Sequence, residues 1–239
     1  MIKFFRRIRQ KLVVENRASK YLLYAIGEIA LVMIGILLAL QVNSYYQYKQ
    51  DRNLEHSLLI ELQNNIKRDS IGIGHDVTKF EKIKKNAIYL DSILQNKLPY
   101  EPKIDSAFAI VSTFSIAESN YVPYDKIKSL KNGIMQNDSL FNSLSNYYNF
   151  SKQQADVDRY FEIAAYFRKD IYPKYFKGYR YGRIAIISDY QKILHSDEVK
   201  IALDYCLNDA FFYLRASKHR VEHSAELLQD ITEELKRFE

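Results

Sequence analysis

The sequence predicts an all-α protein, with one N-terminal transmembrane helix continuing into a helical bundle of about four long helices. Three observations carry that prediction. Residues 22–40 are apolar apart from Glu28, and nineteen helical residues rise about 28 Å, the depth of a bilayer's hydrocarbon core. Only seven Gly and four Pro occur in 239 residues, too few to punctuate many short strands. Beyond the span, apolar residues recur every three or four positions over long stretches. A hydrophobic content of 47% with 27% charged residues sets the chain apart from disordered proteins.

The net charge of +6 raises the question of nucleic acid, but its placement answers otherwise. Residues 1–20 hold seven of the 35 bases and one of the 29 acids, so equal numbers of each remain beyond them. The basic signal therefore belongs to a tail beside a membrane, and the expected partner is a lipid bilayer, not nucleic acid. Positive residues stay inside, which places the N-terminus in the cytoplasm. A cleaved signal peptide is the rival reading; its apolar region runs to about 15 residues, shorter than this one, and no A-x-A site closes the stretch. The chain thus reads as a basic tail at 1–20, a transmembrane helix at 21–43 and an outer helical domain at 44–239. Lys3, Arg6, Arg7, Arg9 and Lys11 are candidate membrane-surface residues. With Ile2, Phe5, Ile8 and Leu12 at helical spacing, the tail is either a basic amphipathic helix on the anionic inner leaflet or a disordered positive-inside segment.

Within the span, Glu28, Gly35 and Ala39 lie within about 20° of one helix face at 100° per residue. Gly35-x-x-x-Ala39 lets a second helix approach closely, and a protonated Glu28 could hydrogen-bond it. Otherwise Glu28, about 10 Å from the Tyr21 end, snorkels to headgroup water. This face is the candidate helix-contact site, through which the chain would meet a membrane-protein partner or a second copy of itself.

The start MIKFFRRIRQKL, then Lys20-Tyr21 and YAIGEIALVMIGILLALQVN, resembles a family of uncharacterised single-pass membrane proteins of Bacteroidota. The similarity is specific over residues 1–43 and extends loosely into 124–148. Members commonly carry Trp just after the anchor, where this chain has Ser44-Tyr45-Tyr46. The resemblance implies the inner membrane of a Gram-negative cell and a periplasmic helical domain. It implies no activity.

In the outer domain, Leu54, Leu58, Leu62 and Ile66 make a stripe on a helix expected to break at Gly72 and Gly74. A second helix over 76–95 carries Val77, Phe80, Ile83, Ala87, Leu90 and Leu94. Pro99 and Pro102 end it, and a short helix near 104–112 follows. The segment 124–148 reads as helix-turn-helix, with Gly133 in a left-handed C-terminal position and Asn137 as a cap. Tyr124 and Tyr147 there are either packed aromatics or a binding surface. The third long helix is expected to stop at Pro173. A loop over 172–183, rich in Tyr, Lys, Arg and Gly, could grip an anionic glycan or headgroup or be an ordinary exposed loop. Ser196-Asp197-Glu198 opens the last helix. Its buried side is expected to carry Ile201, Tyr205, Phe212, Val221, Ala225, Leu228, Ile231 and Leu235.

Chemistry is scarce. Cys206 is the single cysteine, reads as a small buried hydrophobe and can form no internal disulfide. His219-Arg-Val-Glu222-His223 matches H-x-x-E-H, with two histidines one turn apart that could share a zinc ion. Arg220 beside them and the surrounding charge point instead to a wet helix face. No serine sits in a nucleophile elbow, and the GxG at Gly72 has no preceding strand. The expectation is no cofactor, no metal and no enzyme. The expected role is a membrane-anchored interaction or scaffold module. The alternative is a ligand-binding sensory bundle, which would need a separate effector because the tail is only twenty residues. A metal-dependent hydrolase is the remote third.

Overall fold

The computed structural model describes residues 18–130, 134–154 and 157–238. Lys3, Arg6, Arg7, Arg9, Lys11 and the expected Gly133 turn lie outside them. Helix predominates. Contacts divide the chain into two units, Met1–Glu55 and His56–Glu239.

Helix α1 runs without interruption over Ala18–Asn96. Among the described residues it is the one helix long and apolar enough to cross a membrane, and its most apolar stretch is wholly unburied. The expected break at Gly72 and Gly74 is absent. Each glycine costs a helix interior roughly 1 kcal/mol, which packing on the following turns readily exceeds. Gly72 serves a close approach instead: a Cβ there would lie 3.1 Å from the Ala117 Cβ, whereas Gly74 faces open space. The helix stops where Lys97 turns left-handed (φ 47°) and the Leu98 N–H returns to the Ile93 carbonyl at 3.1 Å. That is a Schellman closure, with Pro99 beyond it.

Pro102 occupies the first turn of α2 (Pro102–Val111), where its missing N–H costs no hydrogen bond. Residues 113–120 lie in neither helix nor strand and lead to α3 (Val122–Ser129). Helix α4 (Asp138–Gln154) is capped as its sequence promises: the Leu140 N–H donates to Asn137 Oδ1 at 3.0 Å. Helix α5 (Val157–Tyr166) passes into a π-helical turn at Phe167–Ile171 and then α6 (Tyr172–Tyr175). Pro173 therefore does not stop the helix. The Tyr172 N–H reaches back five residues to the Phe167 carbonyl, widening the turn ahead of the proline, which then sits in the first turn of α6.

The expected loop at 172–183 is mostly structured. After α6, β1 (Phe176–Arg180) and β2 (Ile184–Ile187) pair antiparallel with Tyr179 opposite Ala185, and a bulge interrupts the ladder between Phe176 and Gly178. Gly182, at φ 64°, supplies the left-handed residue of the connecting turn. Tyr172, Tyr175 and Phe176 are buried, so most of the aromatics that suggested a gripping loop are core. Helix α7 (Tyr190–Leu194) follows, then α8 (Asp197–Leu235), whose Ser196 cap accepts from the Val199 N–H at 3.2 Å.

In the second unit the later half of α1 pairs antiparallel with α8. Gln63 donates to Thr232 at 2.9 Å, Ser224 to Ser70 at 3.0 Å, and Lys218 meets Glu81 at 2.9 Å. Leu58, Leu62, Ile66, Phe80, Ile83, Ala87 and Leu90 are buried, as the periodicity of α1 requires. Helix α8 is rotated from expectation. Ile201 and Phe212 (each 51% exposed) and Tyr205 (57%) face out, Ala225 is also exposed, and of the expected stripe only Ile231 is fully buried. The true inner side carries Leu203, Cys206, Ala210, Tyr213, Ser217, Arg220, Ser224 and Leu227. Much of it is small or polar, so counting large apolar residues selects the wrong face. Cys206 is completely buried, and burial holds its thiol well above the ordinary range.

The two glycines of α1 should therefore respond oppositely. Gly74→Ala should stabilise the protein by about 0.5–1 kcal/mol by restricting the unfolded chain and favouring helix. Gly72→Leu should destabilise it by about 1–3 kcal/mol through overpacking against Ala117. Thermal unfolding of the full chain reads both, and equal effects would remove the close-approach role of Gly72.

Candidate functional site

Three places bear on function. The first is the apolar part of α1. Its side chains stand clear of the protein, Leu23 at 74% exposure, and no heavy atom lies within 4 Å of a Cβ built on Gly35. Ala39 is exposed and Glu28 partly covered. Tyr45, Tyr46 and Tyr48 are exposed beyond the apolar stretch.

The second is a polar stripe on α1. Asn65, Asp69, Gly72, Asp76 and Lys79 follow one another at alternating spacings of four and three, hence on one helix face. Against them lies the irregular segment 113–120. Asn65 Nδ2 donates to the Asn120 carbonyl at 2.8 Å, and Asn120 Nδ2 returns a bond to Asn65 Oδ1 at 2.9 Å. Asp69 on the same stripe accepts from Asn65 Nδ2 at 3.4 Å, with Asn120 and Ser119 beside its carboxylate. Asp76 accepts from the Ala117 N–H at 2.6 Å, and Lys79 bonds both Asp76 and the Ser115 carbonyl. Helix α8 closes the arrangement: Arg220, 3% exposed, donates to Ser119 Oγ at 2.8 Å.

Tyr124, Tyr147 and Tyr148 pack beside this stripe. Tyr124 stacks on Tyr148 with ring centroids 4.7 Å apart, and Tyr148 accepts from Asn65. All three are buried, so this aromatic group packs and does not form an open surface. Burial, followed by the field of Asp69, pushes the Tyr147 hydroxyl up to about 12. Burial likewise raises the Asp69 carboxyl, opposed by its Asn120 bond, by Arg220 and by Ser119.

His219 and His223 have ring centroids 6.0 Å apart, and each meets an aromatic edge-on: Phe150 for His219, Tyr147 for His223. His223 is half-buried, and burial, then the neighbouring His219, lowers its pKa. Arg220 between them points inward, not onto a wet face. Among the described residues no three His, Cys, Asp or Glu side chains are grouped to hold a metal.

The third place is a groove of about 710 Å³ beside these histidines. Phe150 of α4 and Phe211, Phe212 and Leu214 of α8 give it apolar walls, and Arg215, Lys218, His219 and Glu222 give it charge. Lys84 lies over the Phe211 ring, 4.1 Å from its centroid. A smaller hollow of about 350 Å³ shares Leu214 and Lys218 and adds Lys84, Lys85 and Ile88. Sequence reasoning missed this groove because it placed Phe212 in the core. No local signal marks the pair Phe211-Phe212 as exposed, because adjacent positions on α8 such as Tyr213 and Leu214 are both buried.

No protein family, no curated protein and no solved structure matches the chain.

Because folding raises the Asp69 pKa, the folded chain binds that proton more tightly than the unfolded chain. The stability this gives is full below the ordinary value of 3.8 and is lost as pH rises through the raised value. Asp69→Asn, which keeps an acceptor for Asn120 and Ser119, should therefore gain stability relative to the parent as pH rises toward neutrality. Denaturant unfolding at several pH values checks this, and parallel stability profiles would contradict it.

Proposed function

We propose that this chain is a membrane-anchored interaction module of the Gram-negative inner membrane, its tail cytoplasmic and its helical domain periplasmic. The observation that supports it best is the unburied apolar stretch of α1. Soluble monomers rarely leave contiguous apolar patches of more than a few hundred Å² in water; lipid covers such a surface at no cost. The concentration of basic residues before the span sets the direction of insertion. The resemblance of residues 1–43 to single-pass proteins of Bacteroidota supports the choice of membrane.

The module assembles through the face of Glu28, Gly35 and Ala39, with itself or with another membrane protein. Open space at Gly35 leaves room for a second backbone. A second reading, a ligand-binding sensory bundle that signals through a separate partner, draws support from the groove at Phe212 and Arg215.

A reporter fused after Glu239 should behave as periplasmic, and the protein should resist alkaline extraction. Glu28→Leu and Gly35→Ile should insert normally but lose crosslinked oligomer or co-purifying partner. The hydrogen bond at stake is worth about 0.6–2 kcal/mol, a three- to thirtyfold change in association. Glu28→Gln, which still donates, should retain assembly. Equal association in all three variants would reduce the span to a tether, and a cytoplasmic reporter would reverse the topology.

A further inference from the structure

We infer that the groove between α4 and α8 binds a free fatty acid, its acyl chain along Phe150, Phe212 and Leu214 and its carboxylate at Arg215 and Lys218. Phe211 and Phe212 leave about half of their surfaces in water, at 47% and 51%, beside Phe150 on the neighbouring helix. The groove's volume of about 710 Å³ falls within the range of about 300–1,000 Å³ that small-molecule clefts occupy. Its walls are mainly aromatic and aliphatic, which suits an alkyl chain and gives a sugar or nucleotide too few polar partners.

Charge decides the head group. Arg215, Lys218 and His219 line the groove with a single acid, Glu222. Lys84 and Lys85 stand in the adjoining hollow. Lys218 shares its charge with Glu81 at 2.9 Å but remains half exposed, and no acid among the described residues pairs with Arg215. An arginine in this position presents a two-pronged donor to a carboxylate. The same charges argue against a second copy of the chain, because a symmetric contact through this groove would bring two sets of cations together. They also argue against a long amphipathic helix: along α8 the apolar line of Ile201, Tyr205 and Phe212 is interrupted by exposed Asn208 and ends at Arg215.

The test uses the full chain in phosphatidylcholine nanodiscs with cis-parinaric acid, a fluorescent fatty acid, and its uncharged methyl ester. Empty nanodiscs supply the partition background. Saturable one-to-one binding of the acid above that background is expected, with the ester about tenfold weaker or worse. Arg215→Ala combined with Lys218→Ala should weaken the acid by about tenfold and leave the ester unchanged. Phe212→Asp should remove binding of both. These side chains are exposed, so circular dichroism and unfolding should match the parent; should Phe212→Asp fail to fold, Phe212→Ser replaces it. Dodecanoate should displace the probe, whereas dodecylphosphocholine, with a neutral head, should not. Equal binding of acid and ester, indifference to the variants, or a signal equal to that of empty discs would overturn the inference. So would a disulfide-linked dimer through Phe212→Cys that excludes the probe, since the groove would then be an interface between copies.

Discussion

The second unit depends on how the irregular segment 113–120 satisfies its backbone. A half-buried segment without helix or sheet must find partners elsewhere for the N–H and C=O groups that water does not reach. Helix α1 supplies them from one stripe. Asn65 takes up the Asn120 carbonyl, Asp76 the Ala117 N–H, and Lys79 the Ser115 carbonyl. Gly72 removes the side chain that would hold the segment away. With these groups satisfied, Phe114 and Ile116 can pack against the core of Phe80, Tyr213 and Leu214. Arg220 reaches Ser119 from α8, so both long helices hold the same short piece of chain. The arrangement has an electrostatic cost, the raised Asp69 carboxyl, which Asn120, the field of Arg220 and Ser119 offset in part.

The features legible in the sequence are those set by local chemistry. Asn137, Ser196 and Pro102 occupy the cap and first-turn positions their side chains suit. The stripe from Leu58 to Leu94 is buried, apart from the partly buried Val77, because large apolar residues at helical spacing have no better place. Tertiary contacts decided the rest. Gly72 reads locally as a breaker, yet its role comes from Ala117, forty-five positions away. The hairpin was hidden by Pro173 and by tyrosines that resemble a loop's, although Gly182 between Tyr179 and Ile184 carried the turn signal. Helix α8 misled in phase because its inner side must fit close against α1 and segment 113–120, which selects Ala210, Ser217 and Ser224 over larger residues.

That rotation links fold to function. Turning Cys206 and Arg220 inward puts Phe212 and Arg215 outward, where they meet Phe150 across a groove. A similar logic applies to the apolar part of α1, where large side chains face away from the protein because no other element covers them. In both places the chain leaves apolar surface beside cationic residues. Bilayer and fatty acid offer the complementary pattern, an alkyl body with an anionic edge.

The stripe on α1 is the structural claim on which this account turns, and backbone amide exchange measures it most directly. In the full chain the Ala117 amide should exchange slowly, although it lies in no helix or strand, because its opening requires the segment to leave α1. Asp76→Ala should accelerate exchange across 113–120 and leave the hairpin at 176–187 protected. Free-peptide exchange of the segment in the parent protein would contradict the account. So would an Asp76→Ala variant in which segment and hairpin loosen together.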